Sequence, residues 1–302
     1  MTVDLTAAQA FIDTHARLLD RRRYALLDRA ADPARDGDAA AVLAALEAYR
    51  NPDGGYGSGL EPDLRSPESQ PAAAGQAFEA FAEVAPVTSP SAASLCDWLD
   101  SITLADGGLP FVRPVTRSAG VAPWFAAGDP TAASLQITAF IAAAAHRVAA
   151  HDPGVAGHPW LERATAYCLK TIEALDENPF AYTLAFSIRL LDAIGDDRPE
   201  VQRLRHALGA HVPADGRVPV AGGAEGETLR PLDIAPEPRR PSRSLLSADA
   251  VAADLRRLAA SQRDDGGWTV DYLPISPAGS LEWRGYATVK AIATLRRNDA
   301  LA

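Results

Sequence analysis

Residues Ser261 to Trp268 read SQRDDGGW and close an amphipathic run that begins near Leu255; a loop and another such run follow. An acid, two glycines and an aromatic ring are what a chain uses to stop a helix. Glycine takes the left-handed conformation at C′ without a Cβ clash, the aspartate bonds amides of the turn, and the ring packs back on the helix. Nearly the same string returns in LAALEAYRNPDGGYG, LCDWLDSITLADGGLPF and LRHALGAHVPADGRVPV. Each copy is an apolar helical stripe, then Asp-Gly-Gly or Asp-Gly-Arg, then a bulky residue: Tyr56, Leu109 or Val218 in place of Trp268.

Asp53, Asp106, Asp215 and Asp265 are separated by one, two and one units of roughly 50 residues, the period of an α-hairpin repeat. The unit missing from the middle is present in degenerate form, because ERATAYCLKTIEAL and NPFAYTLAFSIRLLDAIG flank Leu175 to Pro179 as two helical runs without a glycine pair. An opening segment from about Ala7 to Ala31 brings the count close to six pairs. Such hairpins cannot bury both faces alone, so they stack, and six can close into a ring. The predicted fold is all-α: an α/α toroid (α6/α6 barrel) spanning residues 1–302 as one domain.

Composition agrees. Alanine and leucine dominate the 302 residues while aromatics make up 7% and β-branched residues are sparse, which favours helix. A formal charge of −10 with no basic block would repel phosphate backbones and anionic membranes, so nucleic acid is not an expected partner. The runs Arg21–Arg23 and Arg239–Arg243 read as solvated faces or salt-bridge donors. Two cysteines far apart, Cys96 and Cys168, with no targeting segment and no membrane-spanning apolar run, suggest a cytoplasmic protein with reduced thiols. The six histidines lack metal-ligand spacing, and no Cys-x-x-Cys, Walker loop, nucleophile elbow or dinucleotide fingerprint occurs. No metal and no cofactor are expected.

At SQRDDGGW the chain resembles the QW-type repeat of the terpenoid cyclase and protein prenyltransferase superfamily, with Gln262, Gly266 and Trp268 in the expected order. The resemblance implies an inner and an outer ring of helices with a cavity at one mouth. It brings no catalytic residue, because the Asp-x-Asp-Asp acid of class II cyclases is missing, and neither DGD at Asp36–Asp38 nor GDD at Gly195–Asp197 replaces it. The aspartate-rich magnesium motifs are missing too, and Ser94 and Ala166 stand where a prenyltransferase's Asp-x-Cys zinc motif needs aspartate.

Loop lengths locate a site without the resemblance. The stretches Tyr56–Ser69, Leu109–Asp129, Arg217–Ser244 and Thr269–Gly279 are long and must emerge on one face, together with inner-helix N-termini whose dipoles favour anions. GLEPDLRSPESQP offers Glu61 and Asp63 as candidate acids and Arg65 and Gln70 as binding residues; alternatively Glu68 and Gln70 cap the next helix and Arg65 pairs with an acid. SPAGSLEWRGYAT offers Ser280 as N-cap, with Glu282 in the first turn as a third catalytic carboxylate or simply a dipole partner, and Trp283 and Arg284 as pocket residues. Arg230–Arg243, too proline-rich for a helix, carries Asp233 as a fourth candidate acid on a lid or an ordinary surface excursion. Trp124 packs under that lid or contacts ligand, and Tyr56 and Trp268 complete the set of candidate binding residues.

The leading expectation is a cofactor-free acid–base enzyme that cyclises or isomerises a small, largely apolar, isoprenoid-like substrate. Two alternatives stand beside it: a carbohydrate-active α/α barrel with paired carboxylates about 5 to 10 Å apart, and a non-catalytic binding or scaffold protein. The sequence does not fix an oligomeric state.

Overall fold

A computed structural model describes residues 3–28, 35–117, 119–272 and 274–301. Ala31 and Ala302, the expected ends of the opening segment and of the domain, lie outside the described residues. The chain runs through α1 (Leu5–His15), α2 (Leu18–Asp28), α3 (Arg35–Glu47), α4 (Pro71–Glu83), α5 (Pro90–Ile102), the single turn α6 (Pro123–Ala126) and α7 (Leu135–Ala149). It continues through the single turn α8 (Pro153–Ala156), α9 (Pro159–Glu173), α10 (Ala181–Ile194), α11 (Pro199–Gly209), the hairpin β1 (Val218–Pro219) and β2 (Thr228–Leu229), and the single turn α12 (Pro231–Ile234). A 3-10 turn at Pro241–Leu245, α13 (Ala248–Ala260) and α14 (Pro277–Arg297) complete it.

Outer and inner helices alternate, giving the all-α toroid: α1, α3, α5, α9, α11 and α13 outside; α2, α4, α7, α10, α12 and α14 inside. The sixth inner element is only one turn long. Inner helices approach closely where small residues face a neighbour. Gly75 of α4 is one such point, since a Cβ there would lie 2.0 Å from the Phe140 ring of α7. Helix starts follow capping chemistry, with Asp4, Ser134, Ser247 and Ser276 each accepting an amide of the first turn. Ser276, not Ser280, is thus the N-cap of the last helix, and Glu282 falls in its second turn.

The repeated glycine turn is a separate device placed after the helix, not its C-cap. The outer helices stop at Glu47, Ile102, Gly209 and Ala260, several residues before Gly54, Gly107, Gly216 and Gly266. All four glycines have positive φ, between +68° and +93°. Asp53, Asp106 and Asp265 accept the amides of Gly55, Gly108 and Gly267, while the amides of Asn51, Leu104 and Arg263 donate to the carbonyls of those glycines. In the third copy Pro213 occupies the donor position and has no N–H, so that second bond is lost. Its follower Val218 is half-buried in β1, whereas Tyr56, Leu109 and Trp268 are buried as expected.

Ring closure is visible at the first motif quoted. The Asp4 amide donates to Gln262 Oε1 at 2.8 Å, and Gln262 Nε2 donates to the carbonyls of Asp4 at 2.8 Å and Gly266 at 2.9 Å. Trp268 joins a core with Ala8, Phe11 and Ile12 of α1 and Val289 and Ile292 of α14, and its Nε1 donates back to the Leu258 carbonyl of α13. A Cβ on Gly266 would sit 2.1 Å from the Ala7 carbonyl oxygen, so only glycine lets the first helix come this near.

Two basic runs change their meaning. Arg21 and Arg22 are exposed, but Arg23 is buried and paired with Asp20 and Glu83. Arg230–Arg243 is built into the wall as α12 and the 3-10 turn: Ser242 donates to Asp192 through amide and hydroxyl, and Arg243 bonds the Pro236 carbonyl and Asn298. Held on both sides, it is neither lid nor free excursion. Cys96 and Cys168 are buried and unpaired, and no helix among the described residues is long and apolar enough to cross a membrane.

Candidate functional site

The long loops meet at one rim because backbone bonds tie them together. Leu64 bridges Val121, the Arg65 amide donates to Gly120, and the Ala122 amide donates to Asp63. Gln70, at the N-cap of α4, caps nothing; its amide group exchanges two hydrogen bonds with the Arg113 backbone and so stitches the first loop to the second. Glu68 does not cap either, accepting instead from Ser66 and Thr116. Arg17 of the α1–α2 connection reaches the Leu60 carbonyl at 2.8 Å.

Of the four candidate carboxyls, the rim brings Glu61, Asp63 and Glu282 together. Asp63 accepts the indole N–H of Trp283 at 2.8 Å and the Ile275 amide at 3.5 Å. Glu61, 7% exposed, faces the Asp63 amide and the Gln76 side chain at 3.3 Å each. These long contacts offset little of the cost of burial, and burial with the adjacent Asp63 charge pushes the Glu61 carboxyl up to about 8. The Asp63 carboxyl is also raised, by burial first, against the lowering effect of Trp283. Glu282 is tied to Arg65, as the bland reading of that arginine foresaw. Asp233 lies apart: it caps α12 through the Arg230 amide at 2.9 Å.

The structure scatters several candidate binding residues. Trp283 is at the site, packed edge-on against Tyr272 and Tyr286 at centroid distances of 5.3 and 5.5 Å. Trp268 and Tyr56 are sealed in the wall. Arg284 chelates Asp265 of the last glycine turn and covers the Phe11 ring at 4.4 Å, which fastens α14 to α1. Trp124 is 45% exposed on α6 beside Phe125.

Residues facing the axis were missed by a search confined to loops. They form polar and aromatic stripes at helical spacing: Gln76 and Glu79 on α4, Tyr182, Phe186 and Arg189 on α10, and Tyr286 and Lys290 on α14, with Phe140 on α7. That periodicity was the available signal. Tyr286 of α14 donates to Glu79 of α4 at 2.7 Å and Lys290 donates to it at 3.0 Å, while Phe140 meets Phe186 of the adjoining helix α10 at 5.1 Å. Tyr272 closes the arc; its phenol is pushed well up by burial and then by Glu61 and Asp63. A separate groove of about 790 Å³ lies outside, along α9 and α11, and includes none of the rim carboxyls. Among the described residues no three histidine, cysteine or acidic side chains are grouped to hold a metal ion.

The fold, an α/α toroid, is one that terpenoid cyclases also have. The type II terpene cyclase MstE from Scytonema, without ligand, is similar at a TM-score of 0.57 and 16% identity, covering 97% of both chains. A variant of it in complex with geranylgeranyl dihydroxybenzoate, its substrate, gives 0.58 at 14% identity over 97% of both chains. Another, with the product merosterolic acid A, gives 0.53 at 14% identity over 97% of this chain and 95% of that one. At such identities the likeness is one of fold. No protein-family model and no curated relative matches the sequence.

Proposed function

We propose that the chain protonates a small, isoprenoid-like alkene and cyclises or isomerises it, with Glu61 as the acid. The observation that carries this reading is the Glu61 carboxyl, buried beside Asp63 and Gln76 with only long hydrogen bonds, so that burial pushes its titration up to about 8. A neutral carboxylic acid is the form that can donate a proton at physiological pH. Its O–H proton adds to one alkene carbon, leaving the Glu61 carboxylate and a carbocation on the neighbouring carbon. A second double bond attacks that cation, or a proton leaves it directly, and proton loss to water ends the reaction; Glu61 is then reprotonated from solvent. Trp283 and Tyr272 are the aromatic rings that would stabilise the cation, while the Tyr286 ring is engaged by Arg23 and Lys290. Asp63, anchored by Trp283, keeps the Glu61 proton in place through its adjacent charge. The isoprenoid class is supported by what the fold neighbours bind. Glu282 and Asp233, already engaged by Arg65 and the Arg230 amide, are assigned no proton transfer.

The test is incubation with a panel of linear polyprenyl compounds, with products followed by gas chromatography and mass spectrometry. Cyclised or double-bond-shifted product is expected from the wild type, falling about a hundredfold or more in Glu61→Gln and persisting in Glu282→Gln. Binding without turnover across the panel, or full activity in Glu61→Gln, overturns the reading, the former in favour of a binding protein.

A further inference from the structure

The loop that carries Glu61 is bent by two consecutive residues with positive φ, Ser58 at +54° and Gly59 at +78°. A serine held in that region stores backbone strain, so contacts around it must keep the bend. Within the loop the Ser58 amide donates to the Ser66 carbonyl at 2.8 Å. From outside comes Arg17 of the α1–α2 connection, whose Nη1 donates to the Leu60 carbonyl at 2.8 Å and to that of Gly59 at 3.4 Å. These are the two peptide groups directly ahead of Glu61. Arg17 is itself fixed: 8% of its side chain is accessible, its Nε donates to Asp20 at 2.7 Å, and its guanidinium lies 5.9 Å from the Tyr49 ring centre. Asp20 is fully buried and also accepts from Arg23, which Glu83 holds in turn.

We infer that Arg17 and Asp20 are positioning residues for Glu61: Arg17 clamps the two carbonyls ahead of it, and Asp20 offsets the charge that this clamp brings beside the acid. Glu61 is faced by Asp63 from its own loop, by Arg17 from the α1–α2 connection, by Tyr272 from the last loop and by the neutral Gln76 of α4. Of these Arg17 is the cation, and a lone arginine beside a carboxyl lowers it by about 1–3 units. Paired with Asp20, it acts as a dipole whose field fades faster with distance than that of a single charge. Burial and Asp63 then outweigh it at Glu61. The clamp serves the same end by geometry, because Glu61 stays 7% exposed only while its loop keeps the bend. A guanidinium fork suits this double task, since it donates to a carboxylate and to a backbone carbonyl at once from one rigid plane.

The catalytic side of this inference rests on the reading of Glu61 as the acid; the positioning itself is tested without turnover. Carbon-13 NMR of glutamate-labelled protein follows the Glu61 carboxyl, identified as the resonance missing from Glu61→Gln. Arg17→Lys keeps the charge but replaces the fork by one nitrogen that cannot hold both Asp20 and the loop, so the Glu61 titration should fall by about one unit or more as water enters. Asp20→Asn keeps the clamp but leaves the Arg17 charge without its counter-charge, and should lower the titration likewise. Circular dichroism checks folding; where Asp20→Asn fails to fold, Arg17→Lys decides, since it leaves Arg23 both of its carboxylates. With an accepted polyprenyl substrate, the upper limb of the pH–rate profile should move down by the same interval, with kcat reduced and KM little changed. A Glu61 carboxyl that titrates alike in wild type and folded variants, whatever stability they lose, overturns the positioning role. A downward shift in a protein that turns over no polyprenyl compound keeps that role and removes the acid reading.

Discussion

The indole nitrogen of Trp283 donates to the carboxylate of Asp63 at 2.8 Å across 220 residues of sequence. This bond joins the first long loop to the last helix at the rim, and with it fixes Asp63 beside Glu61. Replacing Trp283 by phenylalanine removes the donor from a buried carboxylate. A loss of about 1.5–3 kcal/mol is expected by urea unfolding, and the double variant with Asp63→Asn should lose less than the two single changes summed. Simple additivity would show that the bond contributes nothing.

Glu61 makes stability depend on pH. Its carboxyl titrates near 8 in the native state and at the ordinary 4.5 when exposed, so between these values the native state holds the extra proton. Stability therefore falls as pH rises from about 4.5 to 8 and is level above. At about 1.4 kcal/mol per unit, the full effect is on the order of 5 kcal/mol. Glu61→Gln should lack this slope and gain on the wild type as pH rises, measured by denaturant midpoints at pH 5 and pH 8.5; parallel curves would mean that Glu61 is ionised throughout.

Glu79 runs the opposite way. Burial would raise its carboxyl, but Lys290, Arg147 and Arg23 outweigh burial and bring it to about 2, so its contribution is present above about 4.5 and lost as pH falls toward 2. Glu79→Gln leaves Lys290 without its carboxylate and strips a partner from Tyr286. A loss of about 3–5 kcal/mol at neutral pH is expected, shrinking in acid; a neutral substitution would show that water replaces the pair without cost.

Two glycine turns with the same backbone should differ in tolerance. Gly107→Ala meets the Arg163 carbonyl at 3.4 Å and pays for positive φ alone, about 1–2 kcal/mol. Gly266→Ala must also push the Ala7 carbonyl aside from 2.1 Å, so it should open the seam between α1 and the last turn and unfold at markedly lower temperature. Equal melting temperatures would contradict the close approach.

The toroid was legible because its cause is local. Asp-Gly-Gly turns repeat at one interval, and Gln262 with Trp268 announces contacts that do close the ring. That Glu61 and Asp63 would lie near each other was legible too, since they stand two residues apart on one long loop. Which of them stays neutral was not, because that depends on Gln76 and Trp283, elements remote in sequence that burial brings near. Arg284 and Trp268 misled because an aromatic or guanidinium beside a turn looks the same whether it faces ligand or wall. Arg189 and Lys290 escaped notice because single charges on largely apolar stretches give no motif, and only the closed ring brings them near one another.

The most direct measurement is turnover of an accepted polyprenyl substrate in deuterium oxide. Proton donation from a solvent-exchanged Glu61 should leave one deuterium in the cyclised product at the carbon first attacked, and Glu61→Gln should abolish both product and label. Product formed without solvent deuterium, or labelled product still formed by Glu61→Gln, would contradict the assignment of Glu61 as the acid of this lumen.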